Sequence, residues 1–270
     1  MSNSVRKLMW TGLLCMACSG LSHGVLADTI KVGGTGAATE LLRRLGAKFA
    51  ERNAGTQVEV LASLGSSGAI RAVSDGAIDV AVSSRALEPN EIAKGLTVAL
   101  TFQTPFVFAT SHKQPNGLTV SEIIQAFASP RAAWKDGSPM RVILRPRSES
   151  DTTLMGNLFP GLGAAVEQAR NRPDVPLAAT DQDNATMAEQ MPGSLIGTSY
   201  TQMLFERRDL RLVSIDGVEP NVENFERGLY PYGKSLAFVV AVKRRPGVES
   251  FLAFVRSPEG EQLRTHAHSF

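Results

Sequence analysis

The run Leu61-Ala62-Ser63-Leu64-Gly65-Ser66-Ser67-Gly68-Ala69-Ile70 passes from a strand-like segment through two glycines and paired serines into an amphipathic helix. Glycine lets a backbone turn tightly and approach a ligand, and the first N–H groups of a helix point outward without intrahelical partners. Such a turn can cradle an anion. Ser66 also fits the simpler role of helix N-cap, and this turn alone does not separate the two.

Three other turns share the design, each following a strand-like segment and preceding a helix-like one: Gly34-Thr35-Gly36-Ala37, Ser83-Ser84-Arg85, and Arg145 through Thr153. Together the four supply hydroxyls, free amides and arginines, the donors a desolvated oxyanion requires. Arginine adds bidentate geometry. Arg145, directly after the buried strand Val142-Ile143-Leu144, reads as a ligand contact or a surface ion-pair partner. Arg85 reads as a ligand contact or the partner of Glu88, and Ser150 and Thr152 are natural N-caps whether or not they hold a ligand.

The elements that must position these turns alternate between strand and helix patterns, which predicts an α/β protein. Thr29 to Gly33 reads as a strand, and Leu41, Leu42, Leu45 and Phe49 form one face of a helix. Gln57 to Ala62 is a second strand, Ser67 to Gly76 a second helix and Asp79 to Ser83 a third strand, giving two successive βαβ units. Leu96 to Thr110 reads as two strand segments that cross or bend at Gln103-Thr104-Pro105. Thr119-Val120-Ser121-Glu122 is a capping box, with Ile123, Ile124 and Phe127 on the inner face of its helix. Leu236 to Val242 is a last strong strand, and Ser257-Pro258 opens a C-terminal helix.

Two lobes are expected, joined near Gln103 to Pro105 and near Arg227 to Lys234. The first comprises 28–104 with 232–270 and the second 105–231. Proteins of this kind bind ligands between lobes, where strand ends and helix N-termini converge.

Residues 1–27 read as a cleavable secretory signal: Arg6 and Lys7 precede an apolar run from Leu8 to Leu21, then Val25-Leu26-Ala27. Both cysteines, Cys15 and Cys18, fall inside it. A mature chain starting at Asp28 would therefore hold no thiol or disulfide, and lipid attachment at either cysteine lacks the expected flanking residues. The signal carries two of the 28 basic residues and none of the 26 acidic ones, which leaves 26 of each. That balance speaks against nucleic acid as a partner and places any anion binding at a local site. His112, His266 and His268 are scattered and suggest no metal site, while Trp134 reads as packing under the preceding helix.

The residues resemble the periplasmic phosphate-binding proteins of bacterial ABC transporters, within the type II periplasmic binding protein superfamily. The matching pieces are the Gly-Thr-Gly-Ala turn, Gly65-Ser66-Ser67-Gly68, Asp79-Val80-Ala81-Val82-Ser83-Ser84-Arg85, Gly117 to Phe127 with Trp134, Ile143-Leu144-Arg145 with Ser150-Asp151-Thr152, Pro192 to Gly197, and Ser257 to Gly260. The resemblance spans essentially the whole mature chain and is more specific for the superfamily than for a ligand. It implies a two-lobed α/β fold, each lobe a mainly parallel sheet flanked by helices, with a ligand cleft between. It also implies Ser66, Ser67, Arg145, Ser150 and Thr152 as anion contacts, with Thr35, Gly36 and Ala37 at the first binding turn and Ser84 and Arg85 beside them.

Two positions depart from the family. Ser84 stands where phosphate receptors carry an aspartate, whose carboxylate accepts the proton of hydrogen phosphate and rejects sulfate. Asp151 stands where glycine is common, and its charge must turn away or pair with an arginine such as Arg147. The resemblance implies an exported, monomeric, non-enzymatic receptor in the periplasm. It would need no cofactor and would pass inorganic phosphate or a related oxyanion to an ABC permease. An envelope sensor or interaction module on the same fold, with altered or lost oxyanion binding, is the alternative. A serine hydrolase is a minor one, since no histidine sits in a triad-like motif and no Gly-x-Ser-x-Gly elbow is present.

Overall fold

The computed structural model describes residues 28–265. The expected signal 1–27 with Cys15 and Cys18, and also His266 and His268, lie outside the described residues. The chain opens with strand β1 (Asp28–Gly34), a tight 3-10 turn (Gly36–Ala38), helix α1 (Thr39–Arg52), β2 (Thr56–Val60), α2 (Gly65–Ser74) and β3 (Val80–Ser83). β1 pairs in parallel with β2 on one side, from Asp28 with Thr56, and with β3 on the other, from Val32 with Val80. These are the two expected βαβ units.

α1 forms where the apolar spacing says it should. Leu41, Leu42, Leu45 and Phe49 are each at most 2% exposed and pack in one core with Ile30, Val32, Val80 and Val82. Full burial of each such side chain is worth roughly 1.5–3 kcal/mol. Glu40 in the first turn and Arg52 in the last complement the helix dipole.

Next come α3 (Pro89–Ala93) and the 15-residue strand β4 (Leu96–Thr110), then α4 (Val120–Ala128), β5 (Arg141–Val142), α5 (Ser150–Leu158), α6 (Leu162–Arg170), α7 (Asp181–Gln190), β6 (Ser194–Ser199), α8 (Tyr200–Glu206), β7 (Arg211–Val213) and α9 (Val222–Glu226). The chain closes with β8 (Gly233–Ala241), α10 (Pro246–Arg256) and α11 (Pro258–Thr265). The capping box at α4 is present: Glu122 N–H donates to Thr119 Oγ1 at 3.1 Å, and Thr119 N–H donates to the Glu122 carboxylate at 2.7 Å. Ser257 Oγ accepts from Gly260 N–H at the start of α11, as its sequence implied.

The strand order is β2-β1-β3-β8-β4-β6-β5, with β7 also on β4. This is an α/β fold with the sheet flanked by helices, but the strands are mixed rather than mainly parallel. The pairs β1–β2, β1–β3 and β5–β6 are parallel, whereas β3–β8, β4–β8, β4–β6 and β4–β7 are antiparallel. Parallel neighbours need a crossover such as a helix between them. β4 and β8 instead carry the chain out and back through one crossing, so they run in opposite directions.

That crossing is sharp. β4 pairs with β8 from Leu96–Ala241 through Pro105–Gly233, and from Phe106 onward it pairs with β6. Proline has no N–H to give a ladder, so a handover between partners is a place it can sit. A second core lies beyond the crossing, built on Phe106, Phe108, Ile123, Phe127, Phe159, Leu195 and Tyr230. Trp134 is buried there and donates its ring N–H to Gly193 O at 3.1 Å. Phe205 of α8 reaches back into the first core. Among the described residues no helix is long and apolar enough to cross a membrane.

Candidate functional site

The turn after β1 is shaped by a close approach. Thr35 N–H donates to Val82 O at 2.9 Å, and a Cβ on Gly34 would lie 2.3 Å from that same oxygen. The chain must carry glycine there to stay on β3. It then curls through Gly36–Ala38, which leaves the Thr35 hydroxyl and the Ala37 amide free of local partners. Both donate to one acceptor, Asp181 Oδ2, at 3.3 and 3.2 Å. Gly36 has no room for a side chain, because a Cβ would sit 2.6 Å from that oxygen.

Asp181 is the first residue of α7, whose N-cap Thr180 makes a capping box with Asp183. Its other oxygen, Oδ1, accepts from Arg145 Nη1 at 2.7 Å. Arg145 also faces Glu149 at 3.1 Å and the Ala179 carbonyl at 3.3 Å, while its buried Nε–H has no hydrogen-bond partner among the described residues. Arg145 and Asp181 are both 5% exposed. Burial pushes the Asp181 carboxyl up, but the charges of Lys234 and Arg145, with the Arg145 and Ala37 hydrogen bonds, outweigh it and hold it below the usual carboxylate range. For Glu149 the balance goes the other way. Burial, with repulsion from Asp181 and Asp151, raises its pKa against the pull of Arg145 and Lys234.

The three serines meet at a second point. α2 begins at Gly65, two residues before the expected start, with Leu64 at the N-cap position and no side-chain cap. Ser66 is therefore inside the first turn and is not the cap. Its hydroxyl accepts from Ser84 N–H at 2.9 Å and bonds Ser84 Oγ at 3.0 Å, and Ser84 Oγ lies 2.5 Å from Ser150 Oγ. α5 likewise starts at Ser150 without a side-chain cap. First-turn amides left open in this way favour anions. A cavity of about 190 Å³ lies at this meeting point, lined by Gly65, Ser66, Ser67, Arg85, Glu149 and Ser150 among others. Gly65 has φ +65°, which a residue with a side chain rarely adopts.

Other expected contacts are engaged by protein partners. Arg85 grips Glu91, not Glu88, through both guanidinium nitrogens at 2.9 and 2.6 Å, and its Nε–H donates to Ser67 Oγ at 2.9 Å. Glu91 is the third residue of α3 and also accepts the Glu88 amide, so it presents both oxygens to Arg85. Thr152 donates its hydroxyl to Pro146 O at 3.0 Å, closing the loop before α5. Asp151 pairs with Lys234 at 2.6 and 2.7 Å instead of Arg147, which bonds Glu167 from an exposed position. Lys234 is fully buried at the head of β8, where it hydrogen-bonds Asp151 and its charge also acts on Asp181 and Glu149.

Residues 22–259 match the PBP superfamily domain. The chain belongs to that superfamily. No curated protein is recognisably similar in sequence. Among solved structures, a Clostridium perfringens protein with bound phosphate, assigned as a phosphate ABC transporter substrate-binding protein, is similar with a TM-score of 0.74 and 17% identity, over 89% of this chain and 98% of that one. An ABC-type phosphate transport receptor from Vibrio cholerae is similar with a TM-score of 0.59 and 17% identity, over 87% of this chain and 96% of that one. The effector-binding domain of QuiR in complex with shikimate is similar with a TM-score of 0.54 and 10% identity, over 84% and 94%. At these identities the likeness establishes the two-lobed fold alone.

Against that superfamily background, the members of this site that sequence reasoning missed are Asp181, Gln182, Glu149 and Lys234. Thr180-Asp181-Gln182-Asp183 carries a readable signal, a capping box, but nothing in it shows that Asp181 reaches the turn after β1. Lys234 carried a weak one, a lysine at the expected crossing into a strongly apolar strand. Among the described residues no group of histidines, cysteines or carboxylates could hold a metal ion.

Proposed function

We propose that the chain is an exported solute-binding protein. It captures phosphate or a related tetrahedral oxyanion between lobes 28–104 with 232–270 and 105–231, and delivers it to an ABC permease from the periplasm. The observation that carries this reading is that donors from the four turns gather at two points, each drawing on both lobes: Thr35 and the Ala37 amide with Arg145, and Ser66 and Ser84 with Ser150. Thr35, Ala37, Ser66 and Ser84 precede the crossing at Pro105, and Arg145 and Ser150 follow it. A ligand bound by both groups is held fully only when they approach, so binding favours closure. The bound phosphate in the Clostridium perfringens relative supports the choice of ligand class.

We read the protein as a receptor without enzymatic activity. The partners of Ser66 Oγ among the described residues are Ser84 and Ser150, and neither is a general base. A sensor role is favoured by one observation: Asp181 already satisfies the Thr35 and Ala37 donors. Isothermal titration of the purified protein with phosphate, sulfate and molybdate tests the transport-receptor reading. Heat with a tetrahedral oxyanion is expected, and its absence with all three would overturn the reading.

A further inference from the structure

Asp181 sits where an oxyanion would be expected to sit. Its Oδ2 takes the Thr35 hydroxyl and the Ala37 amide, and its Oδ1 takes Arg145. A carboxylate presents two oxygens and a negative charge to these donors, as one face of a tetrahedral oxyanion would. Thr35 and Ala37 lie before the crossing and Asp181 after it, so these bonds also tie one lobe to the other. Neighbouring contacts run the same way: Gln182 Nε2 donates to Gly36 O at 2.9 Å, and Arg44 donates to Phe205 O at 3.3 Å.

The local charges are already paired. Arg145 faces Asp181 and Glu149, and Lys234 faces Asp151. An oxyanion added at Thr35 and Ala37 would meet the Asp181 carboxylate with no counter-charge set aside for it. Two buried anions cannot share these donors without heavy cost. Withdrawal of Asp181 frees all three donors at once and returns Arg145 to the ligand.

We propose that Asp181 is an internal ligand: it holds the empty protein closed by filling the oxyanion donors, and an external oxyanion binds there by displacing it. The inference rests on the proposed oxyanion reading for the identity of the competitor, whereas the closing role stands on the contacts alone. Asp181 thereby sets the affinity. Only an anion that engages Thr35, Ala37 and Arg145 better than a tethered carboxylate is retained, which favours the multiply charged oxyanions over simple monoanions.

Two readouts on the purified protein test this, with variants Asp181→Ala, Asp181→Asn and Gly36→Ala. Small-angle scattering without ligand reads closure, and calorimetric titration with inorganic phosphate reads competition. Asp181→Ala is expected to increase the ligand-free radius of gyration, to recover the compact value at saturating phosphate, and to bind phosphate at least tenfold more tightly. Asp181→Asn keeps the shape and loses the charge, so an intermediate result is expected. Gly36→Ala forces the same opening from the other lobe, since its Cβ would meet Asp181 and Gln182 side-chain oxygens at 2.6 and 2.5 Å. It keeps the test decisive if the Asp181 variants do not fold. An unchanged radius in Gly36→Ala and in the folded Asp181 variants overturns the closing role. Phosphate binding that is unchanged or weaker in the Asp181 variants overturns the competition. Absence of phosphate, sulfate and molybdate binding in every form, wild type included, overturns the oxyanion reading itself and the competition with it.

Discussion

Arg145 and Asp181, 36 residues apart in the chain, are joined by a 2.7 Å hydrogen bond, with each residue only 5% exposed. A buried ion pair of this kind is a poor source of net stability, because desolvation offsets most of its attraction. Its value is positional. Arg145 holds Asp181 on the turn after β1, and Asp181 keeps the Arg145 guanidinium beside the donors of that turn.

Replacing Arg145 with alanine is expected to weaken oxyanion binding by more than about tenfold, since a charge-assisted hydrogen bond contributes roughly 1.5–3 kcal/mol. Calorimetric titration with phosphate measures it. Unchanged affinity would place the anion at the three serines without Arg145.

Lys234 and Asp151 form the second buried pair, with Lys234 fully covered. Lys234→Met leaves Asp151 buried without its counter-charge and is expected to cost about 3–5 kcal/mol of unfolding free energy. The double variant Lys234→Met with Asp151→Leu should recover much of that loss. Urea unfolding of both proteins provides the check, and equal loss in the two would show that the ion pair is not the source.

Ser84 lies within hydrogen-bond distance of Ser66 at 3.0 Å and Ser150 at 2.5 Å. An aspartate there would accept from both hydroxyls and could take the proton of a hydrogen phosphate, yet it would repel a fully ionised sulfate. Ser84→Asp is therefore expected to raise the ratio of phosphate to sulfate affinity by at least about tenfold, or 1.4 kcal/mol. Competition titrations with the two anions decide it.

Gly34 has backbone on the side where a Cβ would go, with Val82 O at 2.3 Å. Gly34→Ala must separate β1 from β3, at a cost of about 1–3 kcal/mol by analogy with overpacked cores. It would also shift Thr35. Chemical denaturation should show the loss, and amide exchange should localise it to the β1–β3 pairing.

Glu149 has a raised pKa, caused first by burial. A group of this kind adds stability that is fully present below its ordinary value of 4.5 and is lost as pH rises through the raised one. Above that window its ionisation is a net cost to folding. Glu149→Gln is accordingly expected to raise the thermal midpoint at pH 7 and to have little effect near pH 4. A gain of equal size at both pH values would assign the effect to packing instead.

The first half of the chain was well marked in its own residues. The apolar face of α1 and the two βαβ units follow from local spacing, and so does the capping box of α4, because the side chains that define each element are neighbours along it. α5 to α9 were harder to read. The buried face of α7 is made of Asp181, Asn184, Ala185 and Ala188, so its inner and outer sides differ little in hydrophobicity. β6 is Ser-Leu-Ile-Gly-Thr-Ser, with few residues that announce a buried strand.

By itself, the sequence determined which turns carry glycines, hydroxyls and arginines and that helices begin at or near those turns, since glycine conformation, hydroxyl placement and helix starts are set within a few residues. The tertiary structure alone decided which donors meet and what already fills them. Asp181 reaches Thr35 and Ala37 across 146 and 144 residues, and Lys234 reaches Asp151 across 83. Such pairings depend on how two separately packed cores are brought together along β4 and β8. No local pattern specifies the direction of a side chain across that gap.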